Sequence, residues 1–308
     1  MSTHAPSTAG AQALRQHGRT FHAAHLLLGR RAAEGVHLLY GFCRYVDDLA
    51  DELPLDESRV ALAGVRRELE GEIPPSPAVA GFLRFIETHP VEPGAAEEFL
   101  RGVEQDLDVT RYETEEELIR YCFRVAGTVG LFMCGLFGVR DRRALPFAID
   151  LGIGMQLTNI CRDVLEDAGR GRVYLPASLT GGAVDPAELV AGELAAMSAS
   201  RRAVEILLRR AREHYRSADE GIRFLPARAQ LAVQTASRTY EAIGPRVLAA
   251  PPGTLPGRVH VNAAGKALHM TRGIASVVGL RARAVLWAVP EHDTALHDAL
   301  VGLPGVAG

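Results

Sequence analysis

The sequence predicts an all-α fold, a single-domain bundle of about ten helices, and three observations support this prediction. Apolar residues recur at helical spacings of three and four along nearly the whole chain, while few windows alternate with a period of two. Prolines and glycines interrupt this pattern at intervals typical of short loops, and no internal repeat or low-complexity linker separates domains. The 308 residues, 47% of them hydrophobic, can bury roughly three quarters of the unfolded surface.

The predicted helices follow one another with short connections. In chain order they span residues 11–29, 36–52, 56–69, 78–89, 95–106, 115–139, 142–167, 185–223 as two helices, 227–249 and 259–286. Prolines such as Pro54 and Pro90 stand just behind several of them, where they stop the helical hydrogen-bond pattern. The apolar run at 125–139 has about 15 residues, short of the roughly 20 needed to span a bilayer, and predicts a buried helix.

The predicted chain organisation has three parts: a disordered N-terminus (1–10), a helical domain (11–290) and a C-terminal tail (291–308). The first 20 residues contain no hydrophobic signal core, so we expect a cytoplasmic protein. A net charge of −3 argues against nucleic-acid binding, and no feature indicates a protein partner. The four cysteines lack C-x-x-C spacing, so they are interpreted as reduced core thiols.

Two acidic pairs stand on predicted helices, Asp47 with Asp51 and Asp163 with Asp167. The i, i+4 spacing places both carboxylates of a pair on one helix face, where like charges repel. In the second helix Gln156 and the pair itself belong to a polar stripe that runs beside an apolar one. Such a stripe fits a solvated surface, and it equally fits a cavity that holds a cation. Mg²⁺ prefers carboxylate oxygens and bridges to substrate phosphates.

Several segments carry a resemblance to a known family. They are His17-Gly-Arg-Thr-Phe21, the stretch 39–51 (LYGFCRYVDDLAD), 121–130 (YCFRVAGTVG), 156–167 (QLTNICRDVLED) and 171–176 (GRVYLP). Together they resemble the squalene/phytoene synthase family, the head-to-head prenyl diphosphate synthases. The segments 138–141 (GVRD) and 150–152 (DLG) are most similar to the bacterial phytoene synthase branch.

The resemblance implies an isoprenoid synthase-like bundle around a central cavity. The implied enzyme is a magnesium-dependent prenyltransferase of isoprenoid and carotenoid biosynthesis. It joins two geranylgeranyl diphosphates through their C1 ends to phytoene, via a cyclopropyl diphosphate intermediate, and releases diphosphate. Five carboxylates would hold two or three Mg²⁺ ions: Asp47, Asp48, Asp51, Asp163 and Asp167.

The resemblance also implies roles for other side chains. Three tyrosines near the reacting centre and an arginine phosphate clamp are the catalytic set: Tyr40, Tyr121, Tyr240 and Arg44. The substrate-binding set is His17, Arg19, Thr20, Gln156, Asn159, Arg162, Tyr174 and Arg258. An apolar wall is expected from Val125, Val129, Phe132 and Leu157. On its own spacing, however, Arg44 is also expected to pair with Asp48 on the same helix.

Three alternatives stay open at this point. One is a farnesyl diphosphate-using enzyme that makes presqualene diphosphate, dehydrosqualene or squalene. No G-x-G-x-x-G segment is present, so we expect no dinucleotide cofactor, which disfavours the reductive step to squalene without deciding it. The second alternative is a cyclase that ionises one prenyl diphosphate. The third is a non-catalytic helical assembly protein, which would be expected to lack an acidic pair. Because the substrates are hydrophobic, we expect the protein to make transient contact with the inner face of the membrane.

Overall fold

The computed structural model of the protein describes residues 30–108, 111–251, 253–256 and 291–306. Within these ranges the chain is helical, which confirms the predicted all-α fold, and one isolated bridge joins Arg111 to Val173. The α-helices are α1 (Arg30–Asp51), α2 (Leu55–Leu69), α3 (Pro77–Thr88), α4 (Ala95–Asp108), α5 (Glu115–Cys122), α6 (Thr128–Leu136), α7 (Leu145–Ala168), α8 (Ala177–Thr180), α9 (Pro186–Ala191), α10 (Leu194–Gly221), α11 (Ala227–Glu241) and α12 (Ile243–Leu248).

Helix α7 is the central element of the bundle. It packs against α6, α10, α11 and α12, and its residues such as Ile149, Ile153 and Leu157 are completely buried. A second part of the core is aromatic, where Phe42 of α1 stacks on Phe82 of α3 with ring centroids 4.0 Å apart. These contacts bring α1 and α7 into one core, although they are far apart in the sequence.

Helices α5 and α6 form one continuous rod through a π-helical turn, Phe123–Gly127. Thr114 caps the rod with a reciprocal capping box to Glu117, which satisfies two free backbone amides at its start. By length and composition alone, Glu115–Leu136 and Arg142–Ala168 could cross a membrane. Their most apolar windows are, however, 61% and 67% buried inside the protein, as expected for core helices.

Glycines allow α6 and α7 to approach until their backbones touch. A Cβ atom on Gly130 would lie 2.2 Å from the carbonyl oxygen of Ala148, and one on Gly152 would lie 2.2 Å from that of Ala126. Both separations are far below van der Waals contact, and the obstacle is backbone rather than a flexible side chain. The crossing of these two helices therefore requires glycine at both positions.

We predict that Gly152→Ala destabilises the fold by about 3 kcal/mol, because the added methyl group forces α7 away from the π turn at Ala126. The measurement is urea unfolding followed by circular dichroism. Gly64→Ala in α2 is the matched control, since nothing lies within 4 Å of its Cβ position. That variant should be as stable as the wild type or more stable by up to about 1 kcal/mol. Equal stability of Gly152→Ala and wild type would contradict the close approach.

Some boundaries differ from the predicted ones. Residues 30–35 already belong to helix α1, ahead of the predicted start at 36, and the helix expected over 227–249 is interrupted at Ala242. The segment 291–306 carries a 3-10 helix, Thr294–Leu300, whose Leu300 is fully buried. The predicted N-terminal segment and the predicted helices 11–29 and 259–286 lie outside the described residues, so the three-part division of the chain stays a prediction.

Candidate active site

An elongated cavity of about 370 Å³ lies between α1, α7 and their neighbours. Along α7 its lining runs from Phe147 to Asn159, which is about 18 Å of helix axis. Most of the wall is apolar, and the π turn contributes Val125 and Ala126 to it. The polar residues of the lining are Tyr40, Asp47, Gln156, Asn159 and Tyr240, and two cysteines, Cys43 and Cys134, also line it. Along both α1 and α7 the polar lining residues come after the apolar ones in the sequence, so one end of an otherwise apolar cavity is polar.

Helix α1 brings the first acidic motif to this cavity. Tyr40, Cys43 and Asp47 share one face at spacings of three and four residues, and all three line the cavity. Arg44 points elsewhere and forms an ion pair of 2.5 Å with Asp48 on its own helix, the alternative that its i, i+4 spacing predicted. Its proposed role as a phosphate clamp would require this pair to open.

Helix α7 brings the second motif. Gln156 and Asn159 line the cavity, and the acidic pair follows one and two turns further on. Arg162 donates to both carboxylate oxygens of Asp163, at 2.8 and 2.5 Å, and both side chains are largely buried. The predicted substrate-binding residue Arg162 therefore holds a predicted metal ligand in place.

Arg172, in the loop after α7, connects the two motifs. Its Nη1 atom lies 3.5 Å from Oδ1 of Asp51 at the end of α1. The charge of Arg172 also acts on Asp106 and on Asp167, where it favours the ionised carboxylate. The two acidic pairs therefore meet at one end of the cavity, and they do not point to opposite sides of the molecule.

Burial and the close spacing of the carboxylates raise the pKa values of two of them. Burial, with the nearby charge of Asp51, raises the pKa of Asp47 to about 7, although this side chain is open to the cavity. Burial, with the charge of Asp163, raises the pKa of Asp167 to about 7. Carboxylates so placed need a cation before they can all ionise near neutral pH.

The donor set fits a divalent cation of the magnesium type. Oδ1 of Asn159 is buried and has no hydrogen-bond partner among the described residues, although it belongs to the cavity lining. An amide oxygen beside several carboxylates is the kind of oxygen-rich site that Mg²⁺ prefers. The arrangement can therefore bind a cation at the polar end of a cavity whose remainder accommodates a long apolar chain.

Asp106 of α4 belongs to the same end, although it is not among the site residues that the sequence predicts. The hydroxyl groups of Tyr121 and Tyr174 donate to its two oxygens at 2.8 and 3.1 Å. Burial raises the pKa of Asp106 to about 6, against the opposing effect of the Tyr121 hydrogen bond. Because the partners lie 15 and 68 residues away, no local pattern marks Asp106.

The predicted residues are therefore divided between several places. Tyr40 and Tyr240 line the cavity, whereas the hydroxyl groups of Tyr121 and Tyr174 are engaged with Asp106. Of the predicted apolar wall, Val125 and Val129 line the cavity, and Phe132 and Leu157 are fully buried in the core. Four predicted substrate-binding residues lie outside the described residues: His17, Arg19, Thr20 and Arg258.

An all-helical bundle with two facing acidic pairs at one end of an apolar cavity defines an enzyme of the isoprenoid synthase class. Residues 14–264 match the family model described as squalene/phytoene synthase. The chain belongs to this family, whose enzymes are prenyltransferases that use a divalent metal to bind diphosphate.

Individual relatives agree with this assignment. A 15-cis-phytoene synthase from Enterobacter agglomerans is 36% identical over 248 residues, which is 75% of this chain and 82% of that protein. A presqualene diphosphate synthase from Rhodopseudomonas palustris is 34% identical over 234 residues, covering 73% and 82%. The crystal structure of a dehydrosqualene synthase in complex with a ligand has a TM-score of 0.72 and 26% identity, covering 88% of this chain and 96% of that one.

Proposed function

We propose that this protein condenses two geranylgeranyl diphosphates head to head to phytoene, through a cyclopropyl diphosphate intermediate, with release of diphosphate. The observation that carries the proposal is the cavity itself, because an acidic end continues into a long apolar wall. Similarity to phytoene synthases supports the choice of substrate and product. The product is a precursor of carotenoids.

Magnesium is expected to be held by Asp47, Asp51, Asp163 and Asp167, with Asp48 near them, and two or three ions are expected per site. When bound, the ions neutralise the charge of the departing diphosphate. Asn159 contributes an oxygen without a hydrogen-bond partner in the described part of the chain, and its amide nitrogen lies 3.5 Å from Oε1 of Gln156. Arg162 keeps the Asp163 carboxylate oriented, so its contribution to substrate binding is indirect.

The apolar wall addresses the second chemical problem, a carbocation that water would quench. Residues such as Val125, Val129 and Leu151 exclude water from the cavity. The rings of Tyr40 and Tyr240 offer π-faces that attract a cation. Tyr121 and Tyr174, held by Asp106, are expected to position the acidic end.

Product identification tests the proposed function. Purified protein with Mg²⁺ receives geranylgeranyl and farnesyl diphosphates in competition, and the hydrocarbons are identified by mass spectrometry. We expect a C40 hydrocarbon and release of pyrophosphate. A C30 product, or a stable C30 diphosphate, would instead establish the farnesyl-using alternative, which the similarity to presqualene diphosphate and dehydrosqualene synthases makes the main rival.

We predict that Asp106→Asn lowers kcat about tenfold and weakens the apparent Mg²⁺ affinity several-fold. The amide has one acceptor oxygen where two tyrosine hydroxyl groups now donate, and it removes a negative charge close to Asp47. The Mg²⁺ dependence of pyrophosphate release is the measurement. Asp108→Asn on the same helix is the control, because Asp108 is exposed and pairs with Arg59. Loss of helical content in Asp106→Asn, with kcat and Mg²⁺ affinity kept, would assign Asp106 a structural role only.

The location follows from the substrate and product. We propose a cytoplasmic protein that makes transient contact with the inner face of the membrane, because a C40 hydrocarbon has to leave for an apolar phase. Sedimentation with lipid vesicles in the presence and absence of product measures this contact.

A further inference from the structure

A second buried polar cluster lies apart from the candidate active site. It is centred on Asp150 of α7, which accepts four hydrogen bonds from side chains. Oδ1 accepts from Nδ1 of His214 at 2.7 Å and from Nε2 of His297 at 3.0 Å. Oδ2 accepts from Nε2 of His292 at 2.8 Å and from the hydroxyl of Ser217.

The cluster is closed to solvent and joins three parts of the chain. The side chains of Asp150, His214, His297 and His292 are 0%, 1%, 3% and 7% exposed. They come from α7, α10 and the C-terminal segment 291–306. Asp150 precedes Asp163 by 13 residues of the same helix, about 20 Å along its axis. The cluster is therefore not part of the diphosphate end of the cavity.

Asp150 is surrounded by imidazole rings. Ring nitrogens of His214, His292 and His297 lie 2.7, 2.8 and 3.0 Å from its carboxylate oxygens. One imidazole would suffice to partner a single buried carboxylate, and here there are three. An anionic carboxylate with imidazole nitrogens is a donor set that Zn²⁺ and related transition metals bind.

We propose that Asp150, His292 and His297 form a closed transition-metal site of the zinc type, which fastens the segment 291–306 to the bundle. One ligand atom from each of the three residues lies within 4.8 Å of the others. Nε2 of His292 and Nε2 of His297 both face the Asp150 carboxylate, and each can present its lone pair to an ion in place of a proton when the ring proton lies on Nδ1. His214 and Ser217 orient the carboxylate from behind.

The site has a structural consequence for the cavity. The His292 ring meets the Phe147 ring edge-on with centroids 5.3 Å apart, and Phe147 lines the cavity. Arg120 also donates to the carbonyl oxygen of Ala299 in the same segment. Metal binding at this site would stabilise the packing of the segment 291–306 on the bundle, because the free energy of metal binding contributes to the free energy of folding.

The test uses the full-length protein, stripped with a chelator and then kept in excess Mg²⁺ to occupy the acidic end. Zn²⁺ is titrated by calorimetry and Co²⁺ by visible absorption, and unfolding temperatures are measured with and without Zn²⁺. We expect one equivalent of Zn²⁺ to bind with micromolar or tighter affinity and to raise the unfolding temperature. His292→Gln and His297→Gln should each weaken Zn²⁺ binding about 100-fold. His89→Gln, on a histidine that contacts Phe85 instead, should leave it unchanged.

X-ray absorption of the zinc-loaded wild type counts imidazole ligands without any variant, so the proposal stays testable if a variant fails to fold. Fewer than two imidazoles at the bound zinc would overturn the proposal. So would the absence of saturable Zn²⁺ and Co²⁺ uptake, or uptake that both glutamine variants keep. In that case the cluster would attach the segment 291–306 to the bundle through hydrogen bonds alone.

Discussion

Asp47→Asn and Asp167→Asn should each lower kcat by about 10³-fold or more while the helical content is unchanged. Each variant keeps the shape of the side chain and removes a charge that would bind the metal on which diphosphate departure depends. Steady-state release of pyrophosphate from geranylgeranyl diphosphate measures the loss. Asp163→Asn is a poorer test, because it would also leave the largely buried Arg162 without its carboxylate partner.

The same two variants should be more stable than the wild type when metal is absent. A carboxyl group whose pKa is raised to about 7 binds more protons in the folded state than in the unfolded state between about pH 4 and pH 7. The wild type therefore loses stability as the pH rises through this window, and each asparagine variant loses less because one of the two carboxyl groups is gone. At pH 8 we expect each variant to gain about 1 kcal/mol, with allowance for solvent screening, and at pH 4 no gain.

Asp56→Asn is the matched control for both measurements, since Asp56 is an exposed residue in the first turn of α2. It should keep full activity and an unchanged pH dependence of stability. Near-normal turnover of Asp47→Asn or Asp167→Asn would remove these residues from the mechanism. A loss of stability of the variants at pH 8 would contradict the crowding of charge described above.

Removal of divalent metal should abolish the activity, and Mg²⁺ should restore it in full. The half-saturating Mg²⁺ concentration should fall as the pH rises from 6 to 8, because Asp47 and Asp167 must lose protons before they bind metal. Below pH 7 the fall should be up to about tenfold per pH unit for each of the two carboxyl groups. Pyrophosphate release over a matrix of pH and Mg²⁺ concentrations measures both effects. Activity that is indifferent to chelator would contradict the assigned role of the carboxylates, and a protein inactive under all these conditions would favour the assembly-protein alternative.

Helical periodicity predicted the all-α class and most of the described helices, and it left open whether the polar stripes face solvent or a cavity. The spacing of Tyr40 and Asp47 along α1, and of Gln156 and Asn159 along α7, places each pair of side chains on one face, and all four line the cavity. The i, i+4 spacing of Arg44 and Asp48 also predicted their ion pair, since the two residues are one helical turn apart. These features follow from local geometry, which neighbouring residues determine.

Other features depended on helix packing. The two acidic motifs are connected by the contact of Arg172 with Asp51, which are 121 residues apart in the sequence. Asp106 likewise accepts a hydrogen bond from Tyr174, which is 68 residues away. Asp150 collects histidines that follow it by 64, 142 and 147 residues. A single sequence encodes the helices and their polar stripes because each turn is built from adjacent residues. Which stripes face each other is decided only when the helices pack and buried polar groups find their partners, because those contacts join residues that no local spacing relates.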